Sequence, residues 1–83
     1  MNVGDAIREL KKGRRVIRKG WNGKGMFLIL IDPYLTDQFT LREEPCMVGT
    51  MLSFIAIKTV EQALVPWTAS QADILAEDWE VIS

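Results

Sequence analysis

The chain is expected to adopt an α+β fold: an N-terminal helix packed on a small, mainly antiparallel sheet, with a second short helix near the C-terminus. Three features of the 83 residues lead there. Val3, Ala6, Ile7 and Leu10 recur at the spacing of one helical stripe. A basic strand-like stretch follows at residues 15–19, then apolar strand-length stretches at 26–31 and 52–58. Late in the chain, Ser70 with Asp73 three residues on is the signature of a capped helix start. The length suits a single domain over residues 1–83.

The first helix is expected over about residues 3–12. Asn2 caps it, with Asp5 at the third position in an arrangement close to a capping box. Lys11 and Lys12 lie at its C-terminal end, where the helix dipole favours cations, and Gly13 supplies the stop. In the strand at residues 15–19, Val16 and Ile17 point to opposite faces. It is therefore covered on both sides, or lies between a helix and a subunit interface. The strand at residues 26–31 is apolar on both faces. An antiparallel strand in a small domain normally keeps one face in water, so two apolar faces suggest an oligomer, a dimer or a tetramer.

Residues 33–51 read as a variable loop, with Pro33, Pro45 and Gly49. A connection this long in a compact domain usually carries function. Phe39, Leu41, Met47 and Met51 fit it either to cover a ligand or a neighbouring subunit, or to tack it onto the core. A third strand over residues 52–58 leads to a turn at residues 60–62 that has neither Gly nor Asn, and so has poor turn chemistry. Residues 64–65 make a short fourth strand, which Pro66 ends because it cannot donate to a ladder. The helix opened by Ser70 runs for about two turns. In a last strand at residues 78–82, Trp79 and Val81 share one face and Asp78 and Glu80 the other, with Trp79 in the core.

Composition excludes several chemistries. Cys46 is the single cysteine and there is no histidine, so no disulfide can form within the chain and no zinc site is expected. No Ser/His or Cys/His couple is available either, and no cofactor is expected. No apolar run approaches the 18 residues of a membrane span, and the N-terminus enters a capped helix without a signal-peptide pattern. With one free cysteine, these features suggest a cytoplasmic protein. The net charge of −1 conceals a gradient. Residues 1–24 carry eight Lys and Arg against two acids, whereas residues 59–83 carry five acids and no base. Either an anionic partner binds the basic end, or the two ends face each other within or between subunits.

The stretch at residues 20–25, Gly-Trp-Asn-Gly-Lys-Gly, places Trp21 in a glycine-rich turn. Its ring can stack on a planar ligand, beside the amide of Asn22 and the cation of Lys24. It can equally fold back to cap the core. The stretch is not a P-loop, because Gly25 follows the lysine where that motif needs Ser or Thr. Trp67 lies in the turn before the second helix, whose start presents free N–H groups suited to phosphate; the Asp73 carboxylate competes for them. Two loop tryptophans beside polar groups, with a basic N-terminal third and no catalytic couple, suit binding of an aromatic, anionic small molecule. Single-stranded nucleic acid fits the same groups less well, given an isoelectric point near 5.3.

Together, R-x-V-x-R-x-G-W-N-G-K-G-M, F-I-A-I-K-T and V-P-W-x-A-S-Q-x-D-x-L-A-x-D-W over residues 1–31 and 52–83 resemble a family of small phage and prophage proteins, the Thoeris anti-defence sponges of the second type. Residues 33–51 lie outside the resemblance, and the turn at residues 60–62 lacks the glycine expected of the family. The resemblance implies a non-enzymatic protein of the host cytoplasm. Such a protein sequesters the cyclic ADP-ribose-type signal made by a TIR-domain enzyme, and in some members cyclic di- or trinucleotides as well. It also implies a homo-oligomer, commonly a tetramer, with pockets at subunit interfaces. Carried over by motif, Trp21 and Trp67 wall the pocket, Asn22, Ser70, Gln71 and Asp73 make polar contacts, and Lys24 meets a phosphate. An inhibitor of a host protein and a small single-stranded nucleic-acid binder are the alternatives from other classes.

Overall fold

The computed structural model describes residues 1–21, 25–32 and 52–83. The apolar stripe forms helix α1 (Val3–Lys11). Asn2 Oδ1 accepts from Asp5 N at 2.9 Å, which satisfies one free donor of the first turn. The Asp5 carboxylate pairs with Arg8 one turn further on, and Gly13 ends the helix region at a φ of 88°.

Five strands follow: β1 (Val16–Arg18), β2 (Phe27–Ile31), β3 (Phe54–Lys58), β4 (Leu64–Pro66) and β5 (Trp79–Val81), with helix α2 (Gln71–Leu75) between the last two. They form one sheet in the order β4-β3-β2-β1-β5, and each neighbouring pair is antiparallel. The expected α+β class is what the chain adopts. β1, β2, β3 and β5 are shorter than the stretches that suggested them, a difference of one or two residues at their ends.

The register sorts the side chains by face. Val16 pairs with Leu28 and Val81, Leu28 with Ile57, and Ile57 with Val65, so these share one face with Arg18, Leu30, Ile55 and Trp79. On that face Ala6 and Leu10 of α1 meet Val16, Leu28 and Trp79 in a core whose members are at most 2% exposed. The opposite face carries Ile17, Phe27, Ile29, Ile31, Phe54, Ala56, Leu64 and Pro66. Among the described residues both helices lie on the first face.

Two turns carry local findings. β4 runs one residue further than expected, with Pro66 opposite Ala56. It is an edge strand, so the missing N–H of proline costs no ladder bond. In the β3–β4 turn Gln62 takes a φ of 70°, the conformation in which glycine is easiest to accommodate. Thr59 holds it there. Its N–H donates to Ala63 O at 2.8 Å, its carbonyl accepts from Gln62 N at 3.0 Å, and its hydroxyl accepts from Ala63 N at 3.1 Å. Residues 33–51, Asn22 and Lys24 lie outside the described residues.

Candidate functional site

Three tryptophans from separate parts of the chain meet on the helix-bearing face. Trp79, at the start of β5, is buried. Trp21 follows β1 through a turn closed by its own N–H donating to Arg18 O at 3.1 Å. Trp67 continues past β4, its N–H donating to Ile55 O at 2.9 Å. The rings of Trp21 and Trp67 stand T-shaped against Trp79, with centroids 5.6 and 5.9 Å away and interplanar angles of 77° and 87°. Both outer rings are half-buried. The fold therefore brings the two loop tryptophans to one place, against a third residue that the sequence assigned only to the core.

The polar residues of the second motif are organised beside these rings. Ser70 Oγ accepts from Asp73 N at 3.1 Å, and Asp73 Oδ2 accepts from Ser70 N at 3.0 Å, which completes the capping box of α2. The carboxylate thus claims an N–H that the sequence offered to phosphate. Gln71 is exposed at the first position of the helix. Trp79 Nε1 donates to Asp73 O at 3.1 Å, which ties the helix to the buried ring.

Arg18 completes the arrangement. Its Nη1 donates to Asp73 Oδ1 and its Nε to Asp78 Oδ1, each at 3.0 Å. These hydrogen bonds, to Asp78 first and then to Asp73, hold the Arg18 pKa above its ordinary value. The Arg18 guanidinium likewise holds the Asp78 carboxyl below the usual carboxylate value, helped by the backbone N–H of Gly20. At Asp73 burial opposes ionisation, but the Ser70 N–H and Arg18 outweigh it and its pKa is lowered too. Arg18 lay in the basic block read from the sequence but was not singled out. The facing of a basic β1 and an acidic C-terminal segment was its signal. Lys19 and Glu80, 3.8 Å apart, repeat the pairing, so part of the charge gradient closes within the chain itself.

Beyond the Trp21 turn, Lys58 Nζ donates to Gly25 O at 3.0 Å, with Gly25 at a φ of 85°. Phe27 lies between Arg15 and Lys58, whose cationic groups are 4.8 and 5.6 Å from its ring centre. A cavity of about 160 Å³ lined by Leu10, Lys11, Lys12, Gly13, Leu30 and Asp32 includes none of the site residues. Among the described residues no three His, Cys, Asp or Glu converge as a metal site would require, and no helix is long and apolar enough to cross a membrane. The arrangement offers aromatic surface and an exposed amide, held in place by fixed ion pairs.

A family model described as Tad2-like, Thoeris anti-defense 2-like domain, matches residues 1–82. The chain is also 40% identical over 85 residues to a protein of Bacillus phage SP01 named Thoeris anti-defense 2, an alignment that covers 100% of this chain and 96% of that protein.

Proposed function

The chain belongs to the Thoeris anti-defense 2-like family, and on that premise we propose that it is a non-enzymatic sponge for a cyclic ADP-ribose-type immune signal. It acts in the host cytoplasm, and cyclic di- or trinucleotides are further candidate ligands. The observation that carries this reading is the convergence of Trp21 and Trp67 on Trp79 beside the capped start of α2. Trp21 and Trp67 act as pocket walls on which the base stacks. Gln71 is a polar contact, and Asn22 and Lys24 meet the ribose and phosphates from the Trp21 loop. Ser70 and Asp73, already bonded to one another, hold the shape of the site and leave less hydrogen-bonding capacity for the ligand.

A sponge works by mass action and needs tight binding without turnover. A nanomolar dissociation constant corresponds to about −12 kcal/mol, which a small ligand reaches only when it is largely enclosed. Two half-buried rings on one protomer do not enclose a dinucleotide-sized molecule. The site therefore closes in a homo-oligomer, a dimer or tetramer, in which a neighbouring subunit or residues 33–51 supply the remaining wall.

Calorimetric titration against a panel of cyclic ADP-ribose isomers tests the reading. The protein is expected to deplete one isomer, and heating is expected to release it unaltered. Recovery of a hydrolysed product would make the protein an enzyme. Trp21→Ala and Trp67→Ala are each expected to abolish binding in a protein that still folds; full affinity in both would place the pocket elsewhere. Co-purification of a stoichiometric host protein, with no small-molecule binding, would select the interaction-inhibitor alternative.

A further inference from the structure

We propose that Arg18 is the positioning residue of this site: its guanidinium sets how Trp21 and the turn before it stand against α2 and Trp67. The inference rests on the reading of those two rings as pocket walls. Arg18 makes three connections that no other described residue combines. Its backbone carbonyl accepts from Trp21 N at 3.1 Å, its Nε reaches Asp78, and its Nη1 reaches Asp73. Each carboxylate passes the connection on. Asp78 lies against Gly20, the residue before Trp21, its Oδ2 4.0 Å from where a Cβ on that glycine would stand, and its own carbonyl accepts from Lys19 N at 3.0 Å. Asp73 receives Ser70 N on its carboxylate and the Trp79 ring N–H on its carbonyl.

Helix α2 depends on these ties. It has five residues, none of them buried, and a helix so short has no stability of its own. The cap, the Trp79 N–H and Arg18 are the polar groups that dock it. One planar fork joins two carboxylates on different segments, so guanidinium geometry acts with the ring packing on Trp79 to set the spacing between the Trp21 turn and α2. A lysine is a single point charge on a flexible stem and does not hold both carboxylates at fixed spacing. With the Arg18 side chain only 24% exposed and that of Asp73 15%, the pair is shielded enough for its geometry to persist in solution.

The test compares Arg18→Gln, Arg18→Lys, Asp73→Asn and Asp78→Asn with the parent by near-UV and far-UV circular dichroism, thermal unfolding and titration with the cyclic ADP-ribose isomer panel. Near-UV dichroism reads the packing of tryptophan rings and far-UV the backbone elements. Arg18→Gln and Arg18→Lys are expected to lose most of the tryptophan near-UV bands while keeping the far-UV spectrum and a cooperative melt. Affinity for the isomer that the parent binds is expected to fall about tenfold or more, and adding Asp73→Asn to Arg18→Gln to cost less than it does alone. An Arg18→Gln protein with the parent's near-UV spectrum and affinity overturns the proposal. Should that variant fail to fold, Asp73→Asn and Asp78→Asn each release one arm of the fork, and unchanged near-UV bands in both overturn it as well. A parent that binds no member of the panel removes the pocket reading, and the near-UV comparison then decides the positioning role by itself.

Discussion

Trp21 and Trp67 each lean against the buried ring of Trp79, so replacing either alters the core as well as the proposed pocket. A T-shaped pair contributes about 0.5–1.5 kcal/mol beyond its buried area, and both rings are only half-buried. Trp21→Ala and Trp67→Ala are therefore expected to lower unfolding free energy by roughly 1–3 kcal/mol each, measured in urea. Affinity is compared well below their melting temperatures. Gln62 shows the opposite case. Its φ of 70° strains a side chain that touches no ligand group in this reading. Gln62→Gly is expected to raise stability by about 0.5–1 kcal/mol net of glycine's extra unfolded-state entropy, seen as a melting point about 2–8 °C higher. A melting point that falls instead would mean that Thr59 and its hydrogen bonds already absorb the strain.

The behaviour of α2 follows from its carboxylates. Asp73 and Asp78 sit below their ordinary value of 3.8 in the fold. A carboxyl depressed on folding stabilises the fold above the unfolded value and loses that contribution as pH falls through the folded one. Docking of α2 is thus expected to hold from neutral pH down to the region of 3.8 and to weaken on further acidification. Amide exchange at residues 71–75 and near-UV dichroism, followed through an acid titration, measure it. Glu9 on α1, lowered by Lys12 first and then Arg14, adds to the loss in the same direction. Exchange at α2 that accelerates on raising the pH from neutral, beyond the intrinsic rate, would contradict this account. Most of these elements were legible in the sequence. The α1 stripe, the Ser70–Asp73 box and the strand runs are local patterns, and each appears within one or two residues of its expected place. Arg18 was not legible as a link, because its partners are 55 and 60 residues away and only the β1–β5 pairing brings them near.

At the scale of the whole molecule the two faces of the sheet differ. The helices and the tryptophan cluster occupy one; the other carries Ile17, Phe27 and Ile29, half-buried, around Ala56 and Ile31, which are buried. The proposed homo-oligomer would bury this face further, from which a chain this short gains. Ile29 lies in the middle strand of that face, opposite Ala56. Ile29→Lys is expected to reduce the mass found by size-exclusion chromatography with light scattering to that of one subunit, with the far-UV spectrum kept. A parent that is already monomeric would overturn the homo-oligomer, and a variant of unchanged mass would place the assembly contact elsewhere. Loss of ligand affinity together with loss of mass would show that the pocket needs its neighbour.

The sequence by itself determined the α+β class, the capped helices, the order of the strands along the chain, the absence of an imidazole and the resemblance to the anti-defence family, because each depends on residue type and short-range spacing. The tertiary structure decided what long-range pairing alone can decide. It laid β5 beside β1, which faced the acidic end of the chain with the basic one. It gathered Trp21 and Trp67 onto Trp79, and it used the Asp73 carboxylate to cap α2 and to bind Arg18 at once. No spacing along the chain encodes those contacts; they arise because burying one face of the sheet under α1 fixes which distant side chains share it.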